Sequence, residues 1–162
     1  MYDRILVPLD GSPLAEAALT HGEVLAASLG SQIHLLQVVH LLSQLVGLAG
    51  PSDAGATIPP VNMEVLMETT EREAALAEAY LARIGEGLKA KGLTVSWEVR
   101  RGNAAAEIVQ CTQDQGIGLI ALSTHGRSGL GRLLFGSVAQ RVVRDVGVPV
   151  LLIRPDEQGG AG

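Results

Sequence analysis

Gly118-Leu-Ile-Ala-Leu-Ser-Thr-His-Gly-Arg-Ser-Gly-Leu-Gly-Arg-Leu-Leu-Phe-Gly-Ser-Val138 decides the fold. Gly118 to Leu122 is a short apolar run of the kind a buried strand needs, and a loop of small residues follows it at once. Nine residues separate Gly126 from Gly136-Ser137, which opens a segment with apolar positions at Val138, Val142, Val143 and Val146, a helical period. A strand, a glycine-rich loop and a helix start, in that order, make a place for phosphate. Glycines let the backbone approach an anion, loop N–H groups face it, and the first helical turn adds unpaired donors at the positive end of the dipole. Arg127 and Arg132 can add charge in fork geometry.

The same strand-then-helix rhythm runs outward in both directions. Arg4-Ile-Leu-Val-Pro-Leu-Asp10 is an apolar run closed by Gly11-Ser12-Pro13, where Ser12 suits a helix cap and Pro13 the first helical turn. A helical pattern then covers Leu14 to Leu29 and stops at Gly30. Gln32 to Val39 reads as a second buried strand, and Thr69 to Lys91, rich in Ala, Glu, Leu and Arg, as a long helix. Leu93 to Arg100 alternates at period two, the mark of a strand near an edge or with one wetter face. A short helix from about Ala104 to Gln113, the strand and helix quoted above, and a last strand at Val148–Ile153 complete the order. Alternation of this kind predicts an α/β fold of three layers, a doubly wound parallel sheet with helices on both faces. Ligands of such sheets bind at the carboxyl ends of the strands, where strand order reverses. Asp10, Val38 with Val39, and Ser123 stand at three of those ends.

At 162 residues the chain fits one domain, here 1–155, with a flexible insertion expected at 41–62 from its Gly, Pro and Ser content. The closing residues 156–162 are expected to be a disordered tail. A net charge of −5 argues against a nucleic-acid partner, and no apolar run reaches the length of a membrane span. The chain opens on a strand pattern without a leader-like segment, so a cytoplasmic location is expected. The one cysteine, Cys111, allows no internal disulfide and reads as a small packing residue of a helix. His21, His34, His40 and His125 show no metal-ligand spacing, and Cys111 is distant from all of them in sequence, so no zinc site is expected. Gly116-Ile-Gly-Leu-Ile-Ala121 has the letters of a dinucleotide fingerprint, but its glycines precede a strand instead of following one.

Thr124-His-Gly-Arg-Ser-Gly-Leu130 with Leu133-Leu-Phe-Gly-Ser-Val-Ala139 resembles the nucleotide-binding signature of the universal stress protein family: Gly, two residues, Gly, nine residues, Gly, then Ser or Thr. One departure is present, because Ser123 takes the place of the first glycine. The start, Tyr2 to Ser12, and the end, Val148 to Arg154, share the resemblance. The resemblance implies a Rossmann-like five-stranded sheet of order 3-2-1-4-5, ATP as ligand, and Mg2+ carried with the nucleotide. It implies a site built from Pro8, Leu9, Asp10, Val38, Leu122, Ser123, His125, Gly126, Arg127, Gly129, Gly136, Ser137 and Val138, with adenine near Val38 and phosphate at Gly136-Ser137. Asp10 would take a ribose hydroxyl or the nucleotide's metal ion, or else simply close an Asx turn before Gly11. His125 is expected to hold the loop by hydrogen bonding, not to act as acid or base, because sequence supplies it no catalytic partner.

In that strand order the last strand lies at a sheet edge, and an apolar edge is a pairing surface. The resemblance thus also implies a homodimer through Val148–Ile153, acting in nucleotide-linked stress regulation. Two other readings stay open: a nucleotide-free signalling or scaffold protein of the same fold, which Ser123 favours, and a slow ATPase.

Overall fold

The computed structural model describes residues 1–40, 63–124 and 136–154. Five strands, β1 (Arg4–Leu9), β2 (Gln32–Val39), β3 (Val95–Arg101), β4 (Leu119–Ser123) and β5 (Val150–Ile153), form one sheet in the order β3-β2-β1-β4-β5. Every pairing is parallel, with Ile5 opposite Ile33 and Leu119, and Ile120 opposite Val150. The helices between them are α1 (Pro13–Leu29), α2 (Met63–Ala90), α3 (Ala104–Asp114) and α4 (Ser137–Asp145). This is the Rossmann-like order that the family resemblance implies.

Because strand side chains alternate between faces, each central strand feeds two cores. Ile5, Val7 and Leu9 of β1, with Ile33 and Leu35 of β2, meet Ala18 and Ala26 of α1 and Leu81, Ile84 and Leu88 of α2. Leu6, Leu36, Ile120 and Leu122 meet Ala105, Ile108 and Cys111 of α3 and Ala139 and Val142 of α4. The helices start and stop where local chemistry directs. Ser12 Oγ accepts from Ala15 N–H at 3.1 Å with proline in the first turn, and α1 ends at Gly30, whose φ of 67° is left-handed.

Three expected boundaries move by two residues or more. α2 begins at Met63 instead of Thr69, since Met63-Glu-Val-Leu-Met-Glu68 is itself composed mostly of good helix formers. β3 runs Val95–Arg101, and Thr94 serves it through a carbonyl that accepts from Ile33 N–H at 2.9 Å. β5 is shorter than Val148–Ile153: Pro149 offers only a carbonyl, which accepts from Ile120 N–H at 3.0 Å, and the ladder begins at Val150. The expected insertion 41–62 and the whole of the expected tail 156–162 lie outside the described residues.

Candidate functional site

The sheet order turns at β1, where β2 leaves to one side and β4 to the other, so the carboxyl ends of these strands open a crevice. A cavity of about 300 Å³ lies there, at the small end of the range for ligand pockets. Pro8 and Leu9 come from β1, Leu36 and Val38 from β2, Leu122 and Ser123 from β4. Ile108 of α3 and Ala139 of α4 belong to the same apolar lining, while Asp10, Ser12, His40, Thr124 and Ser137 bring polar groups to it. The result is an apolar slot with polar groups at the strand ends, the usual form of a small-molecule site.

The helix starts around it differ in a telling way. α1 is capped by Ser12, and α3 by Asn103, whose Oδ1 accepts from Ala106 N–H at 3.1 Å. α4 starts at Gly136 with no side-chain cap. A glycine there leaves the opening N–H groups of α4 to a ligand or to water, at the positive end of the dipole and on the cavity wall.

Asp10 Oδ1 accepts from Ser12 N–H at 2.9 Å, so the Asx turn is real, and the exposed carboxylate keeps further acceptor capacity toward the cavity mouth. Ser123 Oγ is shielded from solvent with no hydrogen-bond partner among the described residues, although Ser123 lines the cavity. A buried hydroxyl left unpaired costs free energy, so a ligand atom that meets it gains more than a normal surface contact. Next to it, Thr124 donates its N–H to the Ile153 carbonyl at 2.9 Å and ties the end of β4 to β5.

Pro8, Leu9, Asp10, Val38, Leu122, Ser123, Gly136, Ser137 and Val138 all line this one cavity. His125, Gly126, Arg127 and Gly129 fall outside the described residues. The sequence reading missed Leu36, although its place two residues before Val38 puts it on the same strand face. It also missed Ala104 and Ile108, which carry no motif and reach the slot only because α3 packs over β2.

A family model described as the universal stress protein family matches residues 1–154. The chain belongs to the universal stress protein family. Universal stress protein MJ0577 of Methanocaldococcus jannaschii is 28% identical, over 95% of this chain and 96% of that one. The solved structure of MJ0577 superposes with a TM-score of 0.76 at 25% identity, covering 98% of this chain and 99% of that one. The universal stress protein UspA from Lactobacillus plantarum superposes with a TM-score of 0.73 at 26% identity, over 94% and 98% of the two chains. A universal stress protein from Archaeoglobus fulgidus, solved in complex with dAMP, shares the fold at 17% identity, with a TM-score of 0.59 over 94% and 98%.

Proposed function

We propose that this universal stress protein binds ATP in the cavity at the carboxyl ends of β1, β2 and β4, and acts as a nucleotide-linked stress regulator. The observation that carries the reading is the uncapped start of α4 on the wall of an apolar slot. Adenine fits between Val38, Leu36, Ile108 and Leu122, where its faces replace water against aliphatic side chains. The phosphates belong at Gly136 and Ser137, with the N–H groups of the first turn as donors. Gly126 of the signature, with His125, Arg127 and Gly129 of the same loop, joins them. Ser123 Oγ finds no acceptor among the described residues, which suits a nucleotide better than a bare packing role. Asp10 is the carboxylate for a ribose hydroxyl or for Mg2+, an ion that is commonly held by one or two carboxylates together with phosphate oxygens.

The experiment is calorimetric titration of the full chain with ATP·Mg2+, alongside Gly126→Val. Saturable binding by the natural protein and its loss in the variant support the reading. Absence of heat at millimolar nucleotide overturns it, and ADP release during the titration would assign slow hydrolysis to the same site.

The same reading includes a homodimer in the cytoplasm. Among the described residues β5 pairs with β4 on one side only, and Leu151 is a large apolar residue left exposed on it. A two-fold axis would pair this edge with its own copy. Leu151→Lys then yields a monomer by light scattering, whereas an unchanged dimer puts the interface elsewhere. Among the described residues no helix is long and apolar enough to cross a membrane.

A further inference from the structure

Away from the cavity, the α3 side of β3 is polar. Ser96, Glu98 and Arg100 alternate along this edge strand, and the fold brings to them His34 of β2 and Cys111 of α3. His34 and Cys111 are both buried, and the Glu98 side chain is about one-quarter exposed (28%), giving the group one side open to solvent. One carboxylate oxygen is the centre of the cluster. Glu98 Oε1 lies 3.2 Å from His34 Nε2, 3.3 Å from Cys111 Sγ, 3.1 Å from Arg100 Nη2 and 3.5 Å from Gln115 Nε2. Four donors converge on an atom with two lone pairs, more than it can serve well.

We propose that His34 Nε2, Glu98 Oε1 and Cys111 Sγ form a three-donor site for a zinc-class divalent cation, clamping β2, β3 and α3 together. The three atoms lie within 4.8 Å of one another. Around a tetrahedral zinc ion with ordinary bond lengths, neighbouring donors are about 3.3–3.8 Å apart, so the 3.3 Å edge already has that size and the 3.2 Å edge falls just short of it. Nitrogen, sulfur and carboxylate oxygen are the donor types this ion prefers. The surroundings fit a ligand role for His34. Its Nδ1 is 2.8 Å from Ser96 Oγ, a hydroxyl that accepts as readily as it donates. On metal entry the ring proton resides on Nδ1 and is donated to Ser96, and the Nε2 lone pair turns to the ion. The Cys111 S–H bond breaks, its proton passes to solvent, and the thiolate pair forms the Zn–S bond. Arg100 is the opposing charge. Its guanidinium is drawn off by Asp114 at 3.0 Å and Glu107 at 3.9 Å, so three carboxylates face one arginine here, with Arg4 further along the sheet. With metal bound, Glu98 gives up the converging N–H and S–H donors and Asp114 retains Arg100. No spacing in the sequence announces this site, because its members come from three elements that only the fold assembles.

The test uses the full-length protein stripped with chelator and kept free of nucleotide, so its outcome is independent of the ATP reading. Cobalt(II) is added as the probe and zinc(II) as competitor. The expected result is a near-ultraviolet thiolate-to-cobalt charge-transfer band that saturates at one equivalent and is bleached by zinc. Cys111→Ser should abolish that band, and His34→Gln and Glu98→Gln should weaken cobalt binding at least about tenfold while keeping it. His21→Gln, an exposed histidine outside the cluster, should change nothing. No charge-transfer band in the natural protein overturns the proposal, whether or not any variant folds. So does equal affinity in the natural protein and Cys111→Ser, which would mark binding by surface histidines.

Discussion

Under α1 and α2 the sheet is sealed by aliphatic side chains, with Leu81, Ile5, Ile33 and Leu35 fully buried. Under α3 and α4 the same strands leave a slot of about 300 Å³ at their carboxyl ends and a polar cluster beneath α3 at the β3 edge. The difference traces to helix length and to strand content. α2 is 28 residues long and covers β2 and β3, while α3 and α4 have 11 and 9 residues and pack largely on each other. Short helices cannot close the whole face, and Ser96, Glu98 and Arg100 could not be buried there without partners. One face thus carries stability and the other carries chemistry, a division that substitutions on each side can break or sharpen.

The largest effect is expected at Leu81, which is fully buried between α2 and the sheet. Leu81→Ala removes buried methyl groups where close packing resists collapse, and should cost about 2–5 kcal/mol in urea unfolding. Nucleotide affinity of the folded protein should stay at the natural value. A loss under about 1 kcal/mol would mean that this face is not the stabilising one.

Overpacking probes the same face with a smaller expected cost. A Cβ built on Gly85 of α2 would stand 2.5 Å from Cε3 and Cζ3 of Trp97, so the helix and the indole approach through the missing side chain. Lys89 Nζ sits 4.5 Å from the Trp97 ring and Glu78 Oε1 accepts from its Nε1 at 2.8 Å, which restrains the ring from swinging aside. Gly85→Ala should therefore destabilise by about 1–3 kcal/mol, although Ala is the better helix former. A gain in melting temperature would show that Trp97 yields freely.

At the carboxyl ends of the strands, Ser123 gives an effect of opposite sign. Ser123→Ala removes a shielded hydroxyl that has no partner among the described residues, so unfolding free energy should hold or rise by up to about 1 kcal/mol. ATP affinity should fall by up to about tenfold, the worth of one net hydrogen bond. Stability lost together with unchanged affinity would mean that the hydroxyl is structural and that the nucleotide does not use it.

The sequence made one face far more legible than the other. The strands, the helices and their layering on both faces followed from apolar runs between caps, because alternation and capping are local properties, whereas the strand order came only with the family resemblance. Gly136-Ser137, Asp10 and Val38 line one cavity, and each stands at the end of an element whose boundary is written in nearby residues. Leu14, Ala104 and Ile108 were not found, since walls contributed by helix packing leave no spacing to read. Cys111 was read as a packing residue, and it is fully buried, but its hydrogen bond to Glu98 was invisible. Burial, and next to it the Glu98 carboxylate, push its thiol up to about 12, so without a metal ion it is an inert S–H donor.

The smallest expected effect lies on the rim of the sealed face, where Lys91 Nζ meets both carboxylate oxygens of Glu23 at 2.8 Å. This ion pair joins α1 to the residue after α2, so it fastens the two helices that close the apolar core. Its charges are largely in water, with the lysine side chain 59% exposed and the glutamate 29%. Coulomb attraction at that dielectric is modest, and holding two long side chains in one geometry costs rotamer entropy. A double-mutant cycle with Glu23→Gln and Lys91→Met should give a coupling of about 0.2–1 kcal/mol, falling toward zero in 1 M salt, where the screening length is about 3 Å. If the coupling instead exceeds about 2 kcal/mol and survives salt, the pair is shielded from solvent. Electrostatics would then join aliphatic burial in sealing α1 and α2 onto the sheet.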